Sequence, residues 1–280
     1  MPFYRDTLGL PDSAFALLRD LIHERTGLYY DNGKNELLTD KLSPLVVDRG
    51  FNSFLDYYYL LRYDSGAEEE WKRVLNALSV QETYFWREID QVHAVVDILV
   101  PQYFSQNPLT PLRIWSSACA TGEEPLTLAM ALSESGWFDR GPIQIYGSDA
   151  STAAIEKAKR GVYRERAFRN LVPRLRSKYF SERERHWEIQ MELHRRINWR
   201  VANLAKEDDV SMLATNTQII FCRNLFIYFS EDSILKTLKM FYRMMSSPGY
   251  LFVGASESLL RLKTDFEFQE LGAAFVYVKR

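Results

Sequence analysis

Arg113-Ile-Trp-Ser-Ser-Ala-Cys-Ala-Thr-Gly-Glu-Glu-Pro-Leu-Thr-Leu-Ala-Met130 reads as a β-strand that passes through a small-residue turn into a helix. In open α/β sheets ligands bind beyond the carboxyl ends of the strands, and the first such turn is the usual place. Ser117, Ala118, Ala120 and Gly122 let a ligand lie close to the backbone. The three spaced glycines of a dinucleotide fingerprint are absent, and Glu123 and Glu124 stand where a helix N-terminus would otherwise take a phosphate. A ligand with an ammonium and a sulfonium but no phosphate suits the acid better. The same residues also read as a capping box, with Thr121 as N-cap and Glu124 three residues on; the two readings can coexist.

Outward from this turn, short β-rich runs alternate with helical segments: Leu112 to Ser116, Ile143 to Gly147, Ile197 to Val201, Gln218 to Cys222 and Tyr250 to Val253. Such alternation predicts a mostly parallel sheet flanked by helices. The runs Phe266 to Gln269 and Ala274 to Val278 flank Gly272 with no room for a crossover helix, so an antiparallel hairpin at the sheet edge is expected. Between Phe180 and Asn203, the alternation in Trp187-Glu-Ile-Gln-Met-Glu-Leu193 predicts a small β insertion, with a second strand near Ile197; one long helix through Arg195 is the alternative.

Before the sheet, from Asp12 to about Ser79, the period is helical. Apolar residues fall at Phe15, Leu18, Leu21 and Ile22, at Leu37, Leu38 and Leu42, and at Trp71, Val74, Leu75 and Leu78. Turn signals at Thr26-Gly27, Asp31-Asn32-Gly33, Arg49-Gly50 and Asp64-Ser65-Gly66 divide the stretch into three or four amphipathic helices. The expected organisation is a helical domain over 1–80, a linker over 81–95 and an α/β domain over 96–280, with the β insertion at about 180–202.

The chain has 280 residues, 46% of them hydrophobic and 26% charged, enough for a buried core and a second small domain. No apolar run approaches the ~18 to 20 residues of a membrane span, and the start, Met1-Pro-Phe-Tyr-Arg-Asp6, lacks the pattern of a leader; a cytoplasmic protein is the expectation. Cys119 and Cys222 are too few for a disulfide framework and have no histidine in a neighbouring motif, and four scattered histidines show no ligand spacing, so no metal site is expected. Lys157 to Arg200 holds fourteen Lys/Arg against five Glu on a chain of net charge −2. That stretch reads either as a face that steers an acidic partner or as a solvated surface.

Two further strand ends carry polar residues. Ile145-Tyr-Gly-Ser-Asp149 puts an acid before a helix, where it can accept both hydrogen bonds of a ribose diol or cap the helix. In Phe221-Cys-Arg-Asn-Leu-Phe-Ile-Tyr-Phe229, Arg223 and Asn224 interrupt an apolar run at the fourth parallel strand's end, and Tyr228 can aim a phenol at a transferring group.

Gln81-Glu-Thr-Tyr-Phe-Trp-Arg-Glu88, Ser117-Ala-Cys-Ala-Thr-Gly-Glu-Glu-Pro125, Cys222-Arg-Asn-Leu-Phe-Ile-Tyr-Phe229 and Leu251-Phe-Val-Gly-Ala-Ser-Glu-Ser258, in this order, resemble the successive signatures of CheR-type protein-glutamate methyltransferases. The resemblance implies an all-helical N-terminal domain followed by a seven-stranded Rossmann-like methyltransferase domain with a small antiparallel β insertion. It implies S-adenosylmethionine as cofactor, S-adenosylhomocysteine as product, and glutamyl methyl esters formed on a chemotaxis receptor or a similar helical signalling protein. Neither nucleic acid nor membrane insertion is expected, and a monomer is compatible with the resemblance. By the same resemblance Arg87 and Tyr228 are the catalytic candidates, with Arg87 near the methyl-transfer centre. Gln81 and Thr83 reach the cofactor from the linker, and Ala118 lies against it. Glu124 holds its ammonium, Asp149 its ribose, and Asn203 with Leu204 its adenine. Arg223 and Asn224 complete the pocket. A residue tying the two domains by a salt bridge is the other reading of Arg87.

Two departures stand out. The family usually has Asn where this chain has Gln81. The second helix, which in relatives often carries an arginine cluster, is here Lys41-Leu-Ser-Pro-Leu-Val-Val-Asp-Arg49, where Pro44 is expected to kink or end it. The competing readings are a nucleic-acid methyltransferase, suggested by the basic stretch, and a cofactor-binding module without turnover.

Overall fold

The computed structural model describes residues 8–280, so the opening Met1 to Asp6, read above for a leader, lies outside the described residues. Four helices come first: α1 (Asp12–Thr26), α2 (Asn35–Asp48), α3 (Phe54–Tyr63) and α4 (Ala67–Leu78). Each buries a stripe at helical spacing, Leu18 and Ile22, Leu38, Leu42 and Val46, Phe54, Tyr57 and Leu61, and Trp71, Val74 and Leu78, into one shared core. Pro44 does not end α2, which continues to Asp48. Leu37, counted above with the apolar face, is 43% exposed and turned away from that core.

After Leu78 the chain runs without regular structure to α5 (Ile89–Ala94), which continues through a π-helical turn (Val95–Leu99) into α6 (Val100–Gln106). The α/β part follows in the order β1 (Leu112–Ser116), α7 (Glu123–Glu134), β2 (Ile143–Asp149), α8 (Thr152–Arg160), β3 (Val162–Tyr163), α9 (Pro173–Tyr179), β4 (Phe180–Arg183), β5 (His186–Ile189), α10 (Met191–His194), β6 (Ile197–Val201), α11 (Glu207–Ala214), β7 (Ile219–Cys222), α12 (Glu231–Met244), β8 (Gly249–Val253), β9 (Glu267–Leu271) and β10 (Ala274–Lys279). The main sheet has seven strands in the order β6-β2-β1-β7-β8-β10-β9. The pairs β6·β2, β2·β1, β1·β7 and β7·β8 are parallel; β10 runs antiparallel to both β8 and β9. This is the expected parallel sheet with an antiparallel edge hairpin, turned at Gly272. Among the described residues no helix is long and apolar enough to cross a membrane.

The β insertion differs in its parts from the expectation. Its three strands are β3, β5 and β4, in that order. The second strand near Ile197 is instead β6, which pairs with β2 at the edge of the main sheet. Ile197 and Trp199 alternate inward and are buried, which suits a sheet covered on one face. In β4 three of four residues are exposed, so its pairing with β5 leaves no apolar signal in the sequence. The long-helix alternative reduces to the single turn of α10.

Candidate functional site

The carboxyl ends of β1, β2 and β7 sit side by side because these strands are neighbours in the sheet, and their loops form one wall of a cavity. The opposite wall comes from the helical region and the chain after α4: Tyr29, Leu37, Lys41, Leu75, Thr83 and Arg87 all line it.

The first loop is shaped by its own backbone. Gly122 has φ 97°, and a Cβ there would stand 2.7 Å from the Trp199 ring. The Ser116 hydroxyl donates to Glu124 at 2.7 Å, and the Ala120 amide donates to Asp149 at 3.0 Å. The capping-box reading fails: Gly122 occupies the N-cap position, and the Thr121 hydroxyl instead donates to Glu123 at 2.7 Å. A glycine with left-handed backbone turns the chain there, so Glu124 is free to face the cavity. Asp149 is likewise not the cap of α8. Ser151 caps it, and Asp149 accepts the Ser151 amide at 2.8 Å while holding the β1 loop with its other oxygen.

Burial pushes the carboxyl pKa of Glu124 upward, opposed by Arg223 and the Ser116 hydroxyl. Asp149 is raised by burial as well, against the pull of its two amide donors. Arg223, with a side chain only 3% exposed, stands 3.2 Å from Glu124 and 3.2 Å from Glu88, and donates to the Arg87 carbonyl at 2.8 Å. Its Nε is buried without a hydrogen-bond partner. The Arg87 guanidinium donates to the Glu82 carbonyl at 3.0 Å and lies 5.5 Å from the Tyr84 ring. It is 3.8 Å from the adjacent Glu88 and, among the described residues, pairs with no acid of the helical region. Tyr228, 36% exposed, stands in the lining, and its carbonyl accepts the Tyr29 amide at 2.8 Å.

Among the described residues six non-glycines have positive φ, and four of them, Trp86, Glu88, Ala120 and Asn224, belong to the segments that wall this cavity. Backbone held in a sparsely populated region clusters at functional sites because the surrounding structure must over-determine it.

Of the candidates read from sequence, Thr83, Arg87, Ala118, Glu124, Asp149, Asn203, Leu204, Arg223, Asn224 and Tyr228 line this one cavity. Gln81 is outside the lining: its side-chain oxygen accepts from Lys157 Nζ at 2.8 Å, and that ion–dipole contact with α8 turns the amide away. Asn203 commits its side chain to the protein, donating to the Arg25 carbonyl at 2.8 Å and accepting the Ala205 amide at 3.0 Å. Three supporting residues had no role in the sequence reading. Glu88 carries the second charge on Arg223. Asn76 of α4 binds Ser151, Thr152 and the Ala153 amide, bolting the helical region to α8. Lys41 donates to the Ala77 and Leu78 carbonyls at 3.1 and 3.2 Å, and burial lowers its pKa. Nothing in the neighbouring sequence marks any of the three, and only their distant partners reveal them.

Six of the fourteen cations in the basic stretch are held in ion pairs. Arg166 and Arg169 pair with Glu82, Arg174 and Lys178 with Glu134, Arg176 with Glu165 and Arg183 with Glu188.

Residues 81–275 match the CheR methyltransferase SAM binding domain, and residues 13–79 match the CheR methyltransferase all-alpha domain. The chain is 32% identical over 273 residues to chemotaxis protein methyltransferase 2 of Vibrio cholerae, covering 96% of this chain and 94% of that protein. It is 30% identical to the chemotaxis protein methyltransferase of Klebsiella aerogenes, over 92% of this chain and 88% of the other. With the corresponding protein of Escherichia coli the identity is 28%, over 93% and 90% of the two chains.

Proposed function

The chain belongs to the CheR methyltransferase family and is an S-adenosylmethionine-dependent methyltransferase; from that premise we propose that it esterifies glutamate side chains of a chemotaxis receptor or a similar helical signalling protein, in the cytoplasm. The observation that carries this reading is the convergence of Thr83, Arg87 and Tyr228 with Glu124 and Asp149 on one cavity.

The residues present fit the cofactor. Its amino-acid end bears an ammonium and a carboxylate, and the wall here offers Glu124 beside Arg223, whose Nε is an unused donor. Asp149 at the end of β2 suits a ribose diol. Asn203 and Leu204 are assigned to the adenine side, where Leu204 offers apolar contact. Ala118 and Ala120 keep the floor of the cavity low. The bound cofactor supplies an electrophilic methyl group on a sulfonium.

The protein's task is then modest. A substrate glutamate with a reference pKa near ~4.3 is ionised at neutral pH and needs no general base. The carboxylate is already the nucleophile that the cofactor's methyl group would require, so no residue of this chain has to move a proton. Arg87 orients the incoming carboxylate and Tyr228 lines up its approach, a proximity and orientation effect.

The test is ester chemistry. Incubated with methyl-labelled cofactor and the receptor cytoplasmic fragment from the same cell, the enzyme should yield a product that releases labelled methanol in mild base. A base-stable product would point to nitrogen methylation and overturn the glutamate assignment.

A further inference from the structure

Glu257, in the loop after β8, is 5% exposed and, among the described residues, has no cationic partner. Its carboxylate is held by main-chain amides instead. One oxygen accepts the Asn224 amide at 2.6 Å and the Gly254 amide at 2.7 Å, and the other accepts the Ile227 amide at 3.2 Å. The donors come from two loops, after β7 and after β8, which are adjacent because those strands pair in parallel. Burial raises the Glu257 pKa while these amides pull it down.

The turn so held is the one that ends at Tyr228. Asn224 has φ 57°, a left-handed conformation that a residue with a side chain adopts at a cost. From there the short helical turn Phe226–Tyr228 follows, with the Tyr228 amide donating to the Leu225 carbonyl at 2.9 Å. The fit against the β8 loop is tight: a Cβ on Gly254 would stand 2.6 Å from the Asn224 amide nitrogen of the side chain and 2.7 Å from Glu257.

We propose that Glu257 is a positioning residue for methyl transfer, holding the Asn224–Tyr228 turn in the shape that stands the phenol at the cavity wall. The inference rests on the reading of Tyr228 given above. Glu257 itself does not line the cavity, so it acts through the turn and serves the transfer step more than cofactor binding.

In Glu257→Gln one oxygen becomes an NH2 that faces amide donors, so the turn loses its shape while the side-chain volume is kept. The kcat should fall about 10- to 100-fold, as misplacement by about an ångström does, and by more than the Kd for S-adenosylhomocysteine rises, since of this turn Asn224 also lines the cavity. Glu257→Asp should restore part of the rate. The double variant with Tyr228→Phe should be no more than about twofold slower than the slower single, because both changes act on one element. A folded Glu257→Gln with unchanged kcat beside a slow Tyr228→Phe, or losses that multiply in the double variant, would overturn the assignment of Glu257 alone. Full activity in Tyr228→Phe would instead sink the reading of the phenol, and this inference with it. Should neither Glu257 variant fold, hydrogen exchange on the unsubstituted protein decides: the Gly254 and Asn224 amides should be protected together, and exchange at the rate of an unstructured peptide would refute the clamp.

Discussion

Arg223 and Glu124, 99 residues apart in the chain, meet 3.2 Å apart at the wall of the cavity, their side chains 3% and 15% exposed. An ion pair this far from water gains little net stability, but removing one partner strands the other. Arg223→Met should therefore destabilise the fold by about 3–5 kcal/mol, measured by urea unfolding. It should also weaken S-adenosylhomocysteine binding in calorimetry, because Glu124 is already pushed towards its neutral form by burial. Arg223→Lys should recover less than half of either loss, since a single ammonium cannot serve Glu124, Glu88 and the Arg87 carbonyl at once.

Asn76 is the bolt between α4 and the start of α8, where its side-chain oxygen accepts the Ser151 hydroxyl at 2.8 Å and the Ala153 amide at 3.1 Å. Asn76→Ala leaves these donors without a partner, at a cost of about 1–3 kcal/mol. Ser151 and Asp149 share the cavity wall, so part of that cost should reach the site and the S-adenosylhomocysteine Kd should rise about 3- to 10-fold. An unchanged Kd in a folded variant would show that the bolt does not reach the site.

Gly122→Ala should be poorly tolerated. The residue must keep φ 97°, and the new methyl would lie 2.7 Å from the Trp199 ring and 3.0 Å from the Ala158 side chain. Strain plus overpacking should cost roughly 2 kcal/mol or more, read as a lowered Tm.

Glu123 predicts a slope in the pH dependence of stability. Burial pushes its pKa up from 4.5 to about 7, with the Thr121 hydroxyl opposing. Between these values the unfolded chain has lost the proton and the folded protein keeps it, so this group's contribution falls as pH rises from about 4.5 to about 7. The loss is on the order of 3 kcal/mol for a shift of this size. Glu123→Gln removes that contribution, so the variant should gain on the unsubstituted protein across this window in unfolding experiments at fixed ionic strength. Parallel stability curves would refute the shift.

Much of the fold is legible along the chain because its signals are local. The period of Phe15 to Leu78 marks the helices, and the runs Leu112 to Ser116 and Ile143 to Gly147 mark the central strands, β1 almost wholly buried and β2 buried at Ile145 and Gly147. The site is legible where a polar residue interrupts an apolar strand end, as at Asp149, Arg223 and Asn224. The contact of Gln81 with Lys157 is not legible because nothing near Gln81 announces a partner 76 residues on. β4 was invisible because an exposed strand pairs through its backbone, which sequence does not pattern.

The sequence by itself therefore determined the helical region and the central strands, where the ligand-facing turns lie, and which chemical groups they carry. What only the tertiary structure decided is which of those groups work together. The order β2-β1-β7-β8 sets strand ends from distant parts of the chain side by side, so Asp149 clamps the Ala120 loop, Arg223 joins Glu124 to Glu88, and Glu257 holds the turn before Tyr228. Periodicity is a property of neighbours in the chain; desolvation and hydrogen-bond partnership belong to neighbours in space.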